Sequence, residues 1–254
     1  MPLLPEATLH QLQAPAEEPL RLCGNAEGSG LIGTVYEEHN SREEWLNARV
    51  GHIGASEAGA ILGYGFMSKM DLWRLKTGRA KAKDLSDNES VSYGNRAENA
   101  LRELFMAKHP ELRLFYRPYD FVYQEERPWL RATLDGELLD DDGDRGVLEI
   151  KTATMNSKAD WQKWNGRIPD GYLCQISHQL LATGFRFVYL QAELIGKTES
   201  VIREYLFLRE EMEENMEYLL REEEKFWKCV ETDTIPSTPL RIWRPNGRGI
   251  YLRA

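Results

Sequence analysis

The chain has 254 residues, 42% of them hydrophobic and 29% charged, with a net charge of −9. That is enough for one large domain or two small ones with a real core, and no apolar run approaches the length of a membrane span. The three cysteines, Cys23, Cys174 and Cys229, are far apart, odd in number and lack CxxC spacing, which argues against a zinc knuckle or a disulfide framework and fits a reducing cytoplasm.

The N-terminus lacks the basic-then-apolar layout of a secretion signal. Residues 1–40 hold prolines and glycines with mixed polarity and read as an N-terminal arm. Ser41 with Glu44 makes a capping box for a helix over about 42–50. Ser56 is placed to cap the next helix, IGASEAGAILG, which Gly63 stops. Ser68 with Asp71 opens a third, and 79–89 is a charged loop. Tyr93–Lys108 is the clearest long helix, with Tyr93, Ala97, Leu101, Leu104 and Phe105 on one stripe and Pro110 as its stop. Strands follow around 112–116, 120–124, 129–139 and 147–152. A short helix is expected at 158–165, a strong one at 172–183 closed by Gly184, strands at 185–194 and 201–208, and an amphipathic helix at 210–230. Neighbouring strands without intervening helices argue against a doubly wound parallel sheet. The expected fold is α/β, a central mixed sheet flanked by helices over 41–230, with a basic tail at 231–254.

The negative total argues against a nucleic-acid partner, but the charge is uneven. Arg209–Lys225 carries eight glutamates against three basic residues, whereas the last fifteen residues carry Arg241, Arg244, Arg248 and Arg253 and no acid. A whole-chain balance can hide a local basic surface.

The chemistry concentrates in ATLDGELLDDDGDRGVLEIK, residues 132–151. Side chains at i and i+2 of a strand share a face, so Glu149 and Lys151 project together, and a hairpin brings Asp135 beside them. Asp-Gly pairs are common at turns, and an exposed E-x-K is often a solvated ion pair. Here Leu148 and Ile150 alternate with Glu149 and Lys151, and Trp129, Leu130 and Leu134 make the strand leading to Asp135 a core element. Two carboxylates and an ammonium on one patch suit a hard divalent cation and the water it activates, as in a metal-dependent phosphodiesterase. Glu98 reads either as a helix-surface partner of Arg102 at i+4 or as a site residue at the margin of the stripe. Arg49 and Ser56 read by themselves as a surface charge and a helix cap. His178 reads as a hydrogen-bonded core or rim histidine, and Trp161 and Trp164 as base-stacking, core or subunit-contact residues.

Five motifs occur in order: W-x3-R-x3-IGASEAGAILG at Trp45–Gly63, YGNRAEN at Tyr93–Asn99, RATLDG at Arg131–Gly136, LEIKT at Leu148–Thr152 and CQISHQLLATG at Cys174–Gly184. With them the chain resembles the PD-(D/E)xK superfamily, and within it the lambda-exonuclease/YqaJ-type phage recombination nucleases, from about Trp45 to Phe207. Leu134 stands where a proline often precedes the first aspartate, and DDDGD lengthens the hairpin. The resemblance implies a restriction-endonuclease-like core in which Asp135, Glu149 and the Ile150 carbonyl ligate metal. It also implies that Lys151 positions or deprotonates the attacking water, that Glu98 serves a second metal, and that Gln175 bonds the nucleophile or scissile phosphate. Arg49 and Ser56 would grip a terminal 5′-phosphate, with Thr133 adding a hydroxyl. The implied activity is Mg2+-dependent 5′→3′ digestion of double-stranded DNA ends, with two ions and Mn2+ as the alternative metal. It would release 5′-mononucleotides and leave a 3′ overhang for a single-strand annealing protein, and the implied assembly is a trimeric ring. The competing readings are a structure- or site-specific endonuclease and a non-catalytic DNA-binding or assembly protein.

Overall fold

The structure, a computed structural model, describes residues 33–83, 85, 87–237 and, for its backbone, 250–252. Cys23, most of the expected arm and the four tail arginines lie outside these residues. The N-terminal half runs β1 (Thr34–Glu37), α1 (Arg42–Ala48), a 3-10 turn (Arg49–Gly51), β2 (Ile53–Gly54), a second 3-10 turn (Ala55–Glu57), α2 (Ala58–Leu62), α3 (Lys69–Lys76) and α4 (Glu89–Lys108). Strands β3 (Arg113–Phe115), β4 (Phe121–Gln124), β5 (Leu130–Ala132), β6 (Gly136–Leu139) and β7 (Arg145–Thr154) follow. Then come α5 (Lys158–Lys163), α6 (Asp170–Thr183), β8 (Phe187–Ile195), β9 (Ser200–Leu208), α7 (Glu213–Glu231) and β10 (Ile250–Leu252).

Local signals account for most boundaries. The Ser41 and Ser68 hydroxyls accept from the N–H groups of Glu44 and Asp71. Gly63 and Gly184 end α2 and α6 in the left-handed conformation, where a side chain would strain the backbone. Asn88 caps α4 through the Val91 N–H, so this helix starts four residues ahead of the expected Tyr93.

Two expectations need correction. Ser56 does not cap α2: its hydroxyl accepts from Arg49 Nη2, and the Glu57 carboxylate instead takes the Gly54 N–H at 2.8 Å. The expected single strand 129–139 is two strands in different sheets. One mixed sheet has the order β1-β4-β5-β2, and the other β10-β9-β8-β7-β6-β3, with β7 and β8 parallel over nine residue pairs. Residues 133–135 are the crossing point, and Asp135 sits on it.

Strand β7 is covered on both sides, so its alternation separates two cores. Val147 joins the large cluster that includes Leu173, Ile176 and Leu180 of α6. Leu148 and Ile150 point the other way, into a cluster with Leu101 and Phe105 of α4. Gln191 of β8, fully buried, donates to the Leu101 carbonyl at 2.7 Å and ties α4 to the sheet. Glu149 and Lys151 therefore project from β7 on the side that α6 covers.

Candidate active site

The β6–β7 register pairs Gly136 with Leu148, and one step further along the ladder lies Asp135 opposite Glu149. Asp135 Oδ2 accepts the Ile150 N–H at 2.8 Å, which locks the carboxylate against β7. Glu149 is 2% exposed, and its burial is compensated by three donors. Lys151 Nζ and Gln175 Nε2 reach Oε1, the latter at 2.6 Å, and Gln179 Nε2 reaches Oε2. Gln175 and Gln179 are one turn apart on α6, so a single helix face supplies both amides. Lys151 also lies 5.4 Å from the centre of the Tyr172 ring, in the first turn of the same helix.

These neighbours set the protonation behaviour. Burial, and next the Glu149 charge, push the Asp135 carboxyl well above the usual carboxylate range, against the pull of Lys151. Burial works against the Lys151 ammonium, but Glu149 and Asp135 overcome it and raise its pKa to about 12. Two carboxylates that repel one another, with the Ile150 main chain between them, form a hard-oxygen donor set that suits Mg2+ or Mn2+. An added cation would relieve the repulsion that raises Asp135. Among the described residues no three His, Cys, Asp or Glu side chains already converge as a cage, because each carboxylate is turned to a hydrogen-bond partner. For Glu98 that partner is Arg102 Nη2. Both readings of Glu98 thus have a physical basis: it pairs at i+4, and its charge also acts on Asp135.

A second constellation forms at α1 and the turns after it. Arg49 Nη2 donates to Ser56 Oγ at 3.1 Å, and its guanidinium lies over the Trp45 ring at 4.9 Å. Trp45 Nε1 donates to Thr133 Oγ1 at 2.8 Å. Arg49, Ser56 and Thr133 are therefore assembled around Trp45. Thr133 stands on the same crossing segment as Asp135, which links the two constellations through one short piece of chain. Buried Lys76 anchors this corner, with Nζ 2.7 Å from both Glu57 Oε2 and the Arg49 carbonyl. The Ile150 N–H is bonded to Asp135, and the Ile150 side chain lies in the α4 core.

Sequence reasoning passed over Gln179, Tyr172 and Trp45. The i, i+4 spacing of Gln175 and Gln179 is a readable signal for the first. Trp164 is core, with its carbonyl accepting from the Tyr205 hydroxyl, so it is not a free stacking surface. His178 is fully buried, bonded to Glu223 and to the Arg131 carbonyl.

A mixed sheet whose longest strand carries Glu-x-Lys opposite an aspartate, with helices on both faces, defines a restriction-endonuclease-like core of the PD-(D/E)xK class. The chain belongs to the family of YqaJ-like viral recombinase domains, whose sequence profile matches residues 44–186. It is 30% identical over 193 residues to the uncharacterized protein YqaJ of Bacillus subtilis (strain 168), an alignment covering 74% of this chain and 56% of that protein. The chain thus spans a little over half the length of that relative. Its fold is similar to the crystal structure of an alkaline exonuclease (LHK-Exo) from Laribacter hongkongensis. The TM-score is 0.57 at 16% identity, covering 75% of this chain and 93% of the other. A crystal structure of LHK-Exo in complex with dAMP matches with a TM-score of 0.52 at 18% identity and the same coverage.

Proposed function

We propose that the chain is a divalent-metal-dependent deoxyribonuclease that digests double-stranded DNA from its ends, 5′→3′, releasing 5′-mononucleotides and leaving a 3′ single-strand overhang. The observation that carries this reading is the meeting of Asp135, Glu149 and Lys151 at one end of α6, with each carboxylate fixed by a named donor. Family membership supports it. So does the fold shared with an alkaline exonuclease that has been crystallised with dAMP, itself a 5′-mononucleotide.

Asp135, Glu149 and the Ile150 carbonyl would hold one ion and Glu98 a second. Bound Mg2+ or Mn2+ supplies charge neutralisation at the scissile phosphate and lowers the pKa of water. Gln175 and Gln179 hold the Glu149 carboxylate in one orientation at its buried position. Lys151, held as an ammonium by two carboxylates, orients the attacking water by donating to it. Arg49, Ser56 and Thr133 grip the terminal 5′-phosphate, Arg49 through its planar fork and the other two through hydroxyls. A trimeric ring around DNA and transfer of the overhang to a single-strand annealing protein complete the proposal.

The test compares linear and covalently closed duplexes, each with Mg2+ and with chelator. Linear DNA alone should be degraded, only with metal, and Asp135→Asn should abolish the loss. Cutting of closed circles would instead indicate an endonuclease. Metal-independent degradation, or full activity in Asp135→Asn, would remove the enzyme reading.

A further inference from the structure

Arg102 of α4 makes four contacts that converge on the candidate site. Its Nε donates to the main-chain carbonyl of Asp135 at 2.7 Å, across 33 residues of sequence. Its Nη1 donates to Asn99 Oδ1 at 3.2 Å and its Nη2 to Glu98 Oε1. Its guanidinium lies 3.6 Å from the centre of the Tyr116 ring. An ordinary i, i+4 pair on a helix surface would explain the Glu98 contact alone. It does not explain why the same fork reaches the backbone of the residue expected to be the principal ligand.

We infer that Arg102 is a positioning residue with two tasks: it holds the Asp135 main chain in place, and it latches the Glu98 carboxylate away from the ion position beside Asp135 and Glu149. This inference rests on the metal-dependent reading above. The geometry also says which partner moves. The Arg102 side chain is 7% exposed and pinned by a ring, a carbonyl and an amide, whereas the Glu98 side chain is 30% exposed. Glu98 therefore swings and Arg102 stays. A divalent cation has to compete with a fixed guanidinium for the third carboxylate, so the two ions bind unequally, and the second enters only as Glu98 is released. Arg102 keeps its bond to the Asp135 carbonyl throughout, so the first position is not loosened when the second fills.

The experiment is a calorimetric titration of the full chain with Mn2+ in the absence of DNA, alongside thermal melting and DNA degradation. Wild type should bind one ion, with a second bound about tenfold or more weakly. In Arg102→Gln the second site should tighten by about tenfold, the factor that one charge-assisted hydrogen bond is worth, while the first stays the same or weakens. In Glu98→Gln the second site should vanish and the first remain. Equal tightening of both sites in Arg102→Gln would be a general field effect and would overturn the latch, as would no change at either site. Should Arg102→Gln not fold, Arg102→Lys keeps the charge but lacks the fork and should show the same selective tightening, smaller in size. If wild type binds and degrades DNA with metal but the variants leave the second site unaltered, the latch alone fails. If wild type binds no Mn2+ at all, the latch and the nuclease reading fail together.

Discussion

Two buried histidines give this protein opposite responses to pH. Both ring nitrogens of His52 are buried without a hydrogen-bond partner, and Phe121 meets the ring edge-on at 4.4 Å. Burial, and then the charges of Lys76, Arg131 and Arg49, lower its pKa to about 2. The unfolded chain takes up a proton near the ordinary value of about 6.5 and the folded chain does not, so stability falls as pH drops below that point, by roughly 2 kcal/mol at pH 5. His178 has the reverse sign. Its two partners, the Glu223 carboxylate and the Arg131 carbonyl, only accept, so both ring nitrogens must carry protons. Burial opposes that charge, but Glu223 prevails and the pKa is raised. Its contribution is complete below the unfolded value and is lost as pH rises through the folded one. Urea midpoints measured from pH 5 to 9 should therefore peak near neutrality. His52→Leu should flatten the acid limb and leave the alkaline one; an unchanged acid limb would exclude His52 as its source. At the site itself Lys151→Met should cut DNA degradation by about 10²–10⁴-fold, the range for a positioned proton-handling group, with the folded state retained in circular dichroism. The Asp135, Glu149 and Lys151 trio was legible because strand periodicity and the Asp-Gly turn are local. Arg102 was legible only as an i, i+4 partner, since its bond to the Asp135 carbonyl depends on how α4 packs.

Helix α6 owes its seat to a glycine. A Cβ at Gly171 would meet the Tyr64 carbonyl oxygen at 2.6 Å, so the first turn of α6 lies directly on the loop after α2. That turn carries Tyr172, and the next carries Gln175. Gly171→Ala should cost about 1–3 kcal/mol through overpacking and also reduce DNA degradation, although no site side chain is removed. At Gly51 an added Cβ meets nothing within 4 Å, so Gly51→Ala should stay within about 0.5 kcal/mol of wild type. Equal effects at both positions, in urea melts and degradation rates, would refute this account. Element by element, the sequence signals that worked were caps and stops: Ser41, Ser68, Gly63 and Gly184. The Ser56 cap failed because Ser56 lies inside the 3-10 turn Ala55–Glu57 that leads into α2, not ahead of it, and Glu57 takes the free Gly54 N–H. The break inside 129–139 was hidden because Leu134 continues the apolar run and is itself buried. Only the change of sheet partner, from β4 to β7, marks it. Strand β1 was missed for the same reason: it pairs with β4 almost ninety residues away.

At the scale of the whole chain, a net charge of −9 has to be reconciled with the polyanionic substrate proposed above. The total says little about local surfaces, so particular groups have to decide the matter. The Arg49, Ser56 and Thr133 group is the contact proposed above, and Trp45 fixes the fork of Arg49 and the hydroxyl of Thr133 together. Arg49 also lies 3.8 Å from Glu57, but Glu57 is bonded closely to Lys76 and the Gly54 N–H, so the guanidinium is not neutralised by that carboxylate. A terminal phosphate can therefore take its place against the fork. Linear duplexes with a 5′-phosphate should be degraded faster than those with a 5′-hydroxyl, by about tenfold for one charge-assisted contact. Arg49→Ala should erase that preference and reduce the salt dependence of end binding by about one ion. Rates on the two ends that are already equal in wild type would deny the pocket its role while leaving the Asp135 site untouched. Because the preference is a ratio of two substrates on one enzyme, it is independent of how much protein is active. It also separates the phosphate grip from the assembly proposed above, which a native mass near three times 29.3 kDa would test in the same preparation.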